Sequence, residues 1–363
     1  FFLLKKRFSK LLSIIGLIFF YLSPRIFADS FYNNKDIVFL SLFIINLFYA
    51  INFLNKLTYK NALFLSIASS LAIASRIMGI IIPFIVIIFF ILRSLENNSF
   101  FKKNIYKVIA FIILLQIFVI FFWPYLWIDP IANFINTFKT MSSFKWSGGI
   151  FYLNNYISGL NLPWHYPIVW IIISTPILYL FFFFIGSYFI LIRFLKRFIN
   201  LSEIKILNDI YRGNKERMDI FFFFIFYFTI FLVIKLDSTL YNGWRQLYFI
   251  YPLLIFISIR GLEFFVKKFQ TRNIIIVITP FLIFTTVWMI INHPFQFAYF
   301  NKLAGNNIRN NFEVDYWGIS NRSSLNYIAK NDTRRNINIY VYSESPYHWS
   351  LLMLDEKDRK RLK

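Results

Sequence analysis

Polar residues all but vanish from nine stretches of the chain: 11–28, 37–54, 62–75, 78–92, 108–127, 167–192, 220–235, 246–265 and 274–292. A hydrocarbon core about 30 Å thick needs about 20 apolar residues wound as helix. Lipid offers no partner to unpaired backbone groups, so each stretch is expected to cross the membrane as a helix. Two of them, 62–75 and 78–92, are short. They read either as one long span or as a hairpin turning at Ser75-Arg76-Ile77-Met78-Gly79.

Charge separates the two. With a hairpin, segments 1–10, 55–61, 93–107, 193–217 and 260–273 share one side and hold 21 Lys and Arg. The opposite short loops hold 7: Arg25, Lys35, Arg76, Lys139, Lys145, Lys235 and Arg245. The 11 beyond His293 lie in a tail long enough to escape the positive-inside rule. A single span would scatter the basic loops over both sides, so the hairpin is preferred. The basic side is then cytoplasmic, and the 128–166 loop and the C-terminal segment face outward. The expected fold is an all-α polytopic membrane protein: a multispan domain over 1–292 and a small α/β extracytoplasmic segment over 293–363.

Composition agrees with a lipid environment. The 363 residues are 58% hydrophobic and 22% aromatic, with 50 Phe, and only 15% charged; a soluble domain carries roughly 25% charged residues. Mean hydropathy is +0.58. Absence of Cys excludes disulfides, thiolate metal sites and thiol nucleophiles. A net charge of +22 could suggest nucleic acid, but basic residues in a membrane chain first serve topology and anionic headgroups, so no nucleic-acid partner is expected. The chain opens mid-pattern at Phe1-Phe2-Leu3-Leu4-Lys5, from which further sequence upstream is expected, and the C-terminal segment reads as cut short at Lys363.

Two outward regions are large. The 128–166 loop carries Trp146, Tyr152, Tyr156, Trp164 and Tyr166, as an interfacial segment does. The tail has a helix-like stretch over 323–330 and a strand-like alternation over 336–342.

Four outer carboxylates before the tail, Asp29, Asp36, Asp129 and Asp237, lie at span ends. Each suits either a helix cap or a site at membrane depth, where charge is costly. Arg76 lies between apolar runs in a hairpin too short to reach far into water, and Arg245 opens a span after Tyr241-Asn242-Gly243-Trp244. Guanidinium groups keep their charge when dehydrated and grip phosphate with a bidentate fork. Two on one membrane face point to a lipid phosphate or pyrophosphate, the plainer alternative being headgroup anchoring. No Walker A loop, GxSxG elbow or GxGxxG turn is present.

Several strings resemble a known family: Leu22-Ser23-Pro24-Arg25, Asn33-Asn34-Lys35-Asp36, Ala72 through Gly79, Trp123-Pro124-Tyr125-Leu126-Trp127 with Asp129-Pro130, and Leu162-Pro163-Trp164-His165-Tyr166. Ser174-Thr175-Pro176, Asn242-Gly243-Trp244-Arg245-Gln246 with Tyr251-Pro252, and His293-Pro294 with Tyr299-Phe300-Asn301 continue the series. Together, over 11 to about 328, they resemble the GT-C-type glycosyltransferases of the dolichyl-phosphate-mannose protein mannosyltransferase-like superfamily, which includes the aminoarabinose transferases of lipid A. The resemblance implies transfer of a sugar from a polyprenyl-phosphate donor to a glycan, lipid or protein acceptor on the outer side of a membrane, here a bacterial inner membrane. It implies Arg76 and Arg245 as phosphate ligands and Asp36 as an acidic residue that orients acceptor or holds a divalent Mg or Mn ion, metal dependence being left open. Asp129, Trp146 and His165 are implied as parts of a loop over the substrates, although a His between Trp164 and Tyr166 also suits a plain interfacial residue. Two features depart from the family pattern. Its acidic pair after the first span has no counterpart here and is expected upstream, and Gln246 stands where His is common. A transporter or lipid-linked sugar flippase, or a non-catalytic assembly component, remains the alternative.

Overall fold

The computed structural model describes residues 1–96, 98–142, 146–199, 211–341 and 347–363. Lys145, Lys205 and Tyr342, which the sequence reading used, lie outside the described residues. In chain order the first half holds α1 (Phe2–Lys5), α2 (Lys10–Tyr21), α3 (Pro24–Asp29), α4 (Asn34–Asn55), α5 (Tyr59–Ser75), α6 (Ile81–Glu96) and α7 (Asn98–Phe122). The outer loop forms α8 (Pro130–Ser142) and a hairpin of β1 (Gly149–Tyr152) and β2 (Asn155–Ser158). Then follow α9 (Tyr166–Ser174), α10 (Ile177–Ile199), α11 (Gly213–Lys235), α12 (Tyr251–Lys268) and α13 (Thr271–Ile291). The tail holds α14 (Ile308–Asn311), α15 (Ile319–Asn331), α16 (Tyr347–Leu352) and α17 (Glu356–Arg359).

Among the described residues, seven helices are long and apolar enough to cross a membrane: α4, Ile77–Leu95, α7, Ile177–Arg197, α11, Arg245–Lys268 and α13. This is an integral membrane architecture with fewer full-length spans than the nine apolar stretches. The differences have local causes. Pro24 starts a new helix after α2, because the residue before a proline is driven out of helical geometry; the 11–28 stretch is therefore a 12-residue helix plus a short one. Helix α5 has 17 residues and ends at Ser75, where Arg76 turns extended. Pro176 likewise divides 167–192 into α9 and α10.

At Gly79 the chain folds back on α5 so tightly that a Cβ would sit 2.6 Å from the carbonyl carbon of Ala72. No other residue fits that approach. Ser9, Asn33 and Thr58 cap α2, α4 and α5 by accepting from Leu12, Asp36 and Asn61 backbone N–H groups.

The Arg245–Lys268 segment is central, with 72% of its apolar window buried, against 17% for α7 and α13 at the periphery. Helix α12 meets α10 at Gly186 and Gly261, where a Cβ on either would come within 2.0 Å of a carbonyl oxygen of the other helix. Small residues at a crossing let backbones touch, which replaces the absent hydrophobic drive between helices in lipid.

The outer parts differ from expectation in one respect. The sheet is a two-stranded antiparallel hairpin in the 128–166 loop, pairing Gly149 with Ser158 through Tyr152 with Asn155. In the tail the helix-like stretch is α15, but the alternating stretch at 336–342 is not a strand in its described part. Ile337 forms a single parallel bridge to Leu362 and Phe312 an antiparallel one to Tyr152, so among the described residues of the tail the β structure is confined to isolated bridges beside its helices. The tail is tied to the membrane unit by Asn301, whose Nδ2 donates to the carbonyls of Ile172 (2.6 Å) and Thr175 (2.7 Å), while its backbone N–H donates to Ile173. These are carbonyls that the break at Pro176 leaves without helical partners.

Candidate functional site

Asp36 lies in the first turn of α4 and is 2% exposed. Asn33, the cap of that helix, uses its Oδ1 to accept from Asp36 N–H and its Nδ2 to donate to Asp36 Oδ2 at 2.7 Å and Asp29 Oδ1 at 3.2 Å. Both arginines singled out in the sequence converge on the same carboxylate. Arg76, projected from the turn between α5 and α6, pairs with Asp36 Oδ1. Arg245, opening the 3-10 turn before α12, pairs with Oδ2 at 2.9 Å. The chain thus brings residues 36, 76 and 245 from three elements onto one point.

Around them is a second layer, of which the sequence reading had weighed only Asp29. Tyr248 Oη donates to Asp29 Oδ2 at 3.0 Å. Arg25, 7% exposed, donates from Nε to the Tyr299 carbonyl at 3.0 Å and lies over the rings of Phe300 and Trp170. Arg245 stands in a cage of Tyr241, Tyr316 and Trp317, with ring centroids 4.6, 5.3 and 5.1 Å from the guanidinium carbon. Such faces stabilise a dehydrated cation without neutralising it. The spacing of Asp29, Asn33 and Asp36 was a usable signal for the acidic side; nothing in the sequence ties Tyr316 or Trp317 to Arg245.

Three guanidinium groups face Asp29 and Asp36, with Asp315 near Tyr32 and Glu313 near Tyr316. Arg245 Nε and Arg25 Nη2 are buried and have no partner among the described residues. Burial pushes the Asp29 carboxyl up to about 6, against the donors Tyr248 and Asn33 that pull it down. Burial, reinforced by Asp29, also raises the Tyr32 hydroxyl well above the usual tyrosine range, so it stays protonated.

The remaining sequence candidates sit elsewhere or act indirectly. Asp129 is exposed and accepts from Ala132 N–H at the start of α8, the capping role. Trp146 packs on Tyr241 at 4.7 Å between ring centroids, which links it to Arg245 through that ring. His165 hydrogen-bonds through Nδ1 to Tyr152 Oη at 2.8 Å and tilts against its ring, with no hydrogen bond to Asp36 or either arginine. Asp237 is an exposed turn residue with φ of 44°.

The donor set does not fit a metal ion. Both Asp36 oxygens are taken by cations, and among the described residues no three His, Asp or Glu side chains gather as ligands.

A second ionic cluster marks the other end of α12. Arg7 makes a forked pair with Asp219, at 2.6 and 3.0 Å, and another with Glu263, at 3.2 and 3.1 Å. Arg193 and Arg260 add to Asp219, and Lys267 adds to Glu263. The basic side of the protein is therefore a buried network as well as a charge-bearing face.

No protein-family model, curated protein or solved structure matches the chain.

Proposed function

We propose that the protein is a membrane glycosyltransferase that binds a polyprenyl-phosphate sugar at the Asp36–Arg76–Arg245 cluster. The observation that carries this reading is the convergence of both arginines on one buried carboxylate, with uncommitted guanidinium donors left over. A phosphate anion would take up those donors. Arg76 is the mobile partner in this scheme, being 26% exposed against 8% for Arg245, so it is the one that can swing from Asp36 to a ligand. The motif series named above supplies the sugar-transfer chemistry. A lipid-phosphate sugar is already activated, and what the protein must add is stabilisation of the leaving phosphate and a base for the acceptor hydroxyl. Arg76 and Arg245 suit the first role. Asp36, held by two cations, suits orientation better than proton transfer.

The pairing itself favours a second reading, a structural clasp that pins α4 to the α5–α6 turn and to the start of α12. Assay of the full-length protein in lipid nanodiscs with a radiolabelled polyprenyl-phosphate sugar separates the two. On the transferase reading, Arg76→Ala and Arg245→Lys, each of which leaves Asp36 a cationic partner, lose donor binding and turnover by at least a hundredfold while melting within a few degrees of the wild type. Normal donor binding in both variants removes the phosphate assignment, and joint loss of binding and fold favours the clasp.

A further inference from the structure

A cavity of about 550 Å³ opens beside the cluster, between Tyr32 with Pro294 on the membrane unit and α15 and α16 of the tail. The volume falls within the roughly 300–1,000 Å³ of small-ligand sites. Three of its wall residues are aromatic: Tyr32, Trp317 and Trp349. Arg322, Asn326 and Ser350 also line it, as do the apolar Ile319 and Met353. Arg322 is exposed and has no carboxylate partner among the described residues. Tyr32 Oη and Trp317 Nε1, just behind the wall, are buried and have no hydrogen-bond partner among the described residues, where most buried polar groups are paired.

The wall is shared with the cluster. Tyr32 meets Trp317 edge to face at 5.7 Å, and the same Trp317 lies 5.1 Å from the Arg245 guanidinium. A ligand in the cavity is therefore one ring's thickness from the proposed phosphate site.

We infer that this cavity binds a short anionic oligosaccharide, the acceptor of the proposed transfer. The occupant follows from the lining. Broad ring faces accept the C–H faces of pyranose rings, and planar or hydroxyl side chains in the same wall suit ring hydroxyls. An amphipathic helix would need a predominantly apolar groove, and this wall carries Arg322, Asn326 and Ser350 beside its apolar residues. The unpaired Arg322 selects an anionic sugar over a neutral one. The word acceptor rests on the transferase reading; the binding itself does not.

The experiment is saturation-transfer NMR on the full chain in nanodiscs, with trigalacturonate as probe and maltotriose and pentaglutamate as comparators. Trigalacturonate binds saturably and at least tenfold more tightly than either comparator. Trp349→Ala, at a 59% exposed ring whose loss leaves the core intact, weakens it at least tenfold. Arg322→Ala abolishes the preference over maltotriose, and Arg322→Lys restores most of it. The inference is overturned by absence of trigalacturonate binding, by wild-type binding in Trp349→Ala, or by equal binding of pentaglutamate, which would make the surface one for acidic peptides. Donor binding is read separately in the same variants. Glycan binding without donor binding sinks the transferase reading alone, and donor binding without glycan binding sinks this inference alone.

Discussion

Asp29 and Asp36 flank the same asparagine and are both nearly inaccessible, yet only Asp36 is gripped by guanidinium groups. Asp29 relies on neutral donors, and burial leaves its carboxyl near 6 instead of 3.8. A raised carboxyl pKa means that the folded state holds the proton more tightly than the unfolded one. The resulting stabilisation is full below about pH 4 and is lost as pH rises through about 6, a span of about 3 kcal/mol. In Asp29→Asn that term disappears. The melting temperature of the wild type relative to this variant should therefore fall as pH is raised from about 4 to 6.5; an unchanged difference across that window removes the assignment. Arg76 and Arg245 were legible as special residues because a charge between apolar runs must find a partner. That both find the same partner was not, since nothing local to residues 76 or 245 points to residue 36.

At the scale of elements, the apolar stretches located the helices, and prolines decided where they break. The 11–28 and 167–192 stretches read as continuous on hydropathy alone, but Pro24 and Pro176 start new helices. The freed carbonyls near Pro176 are then taken up by Asn301, 125 residues downstream of the proline. Gly186 and Gly261 carry the closest helix crossing, and their roles became visible only when α10 and α12 were seen together. Gly261→Val would drive its side chain into the Phe182 carbonyl. A loss of about 3 kcal/mol or more is expected, read as a sharp drop in folded yield and melting temperature in detergent. A variant as stable as the wild type would mean that the two helices do not meet here.

For the whole molecule, the two ionic clusters sit at opposite ends of the segment from Arg245 to Glu263, roughly 30 Å apart along six 3-10 residues and the α-helix that follows. That is about the thickness of a hydrocarbon core. The separation is what a membrane-crossing Arg245–Lys268 segment requires. Reporter fusions after Arg193, in the Asp219 cluster, and after Asn301, beside α9, should report opposite sides of the membrane. A same-side result would contradict the hairpin topology.

What this chain's sequence determined by itself is the solvent, the helices and the two charged faces, because transfer of apolar residues and charges into lipid is governed by each segment's own composition. It also singled out two arginines by the cost of placing charge at the rim, whereas Asp36 stood among four outer carboxylates until the family resemblance set it apart. Tertiary structure alone decided that these three meet, that Tyr241, Tyr316 and Trp317 enclose one of them, and that Arg7 locks to Asp219 and Glu263. Those contacts join residues up to 256 positions apart. Their energies depend on distance and burial that exist only once the helices have packed.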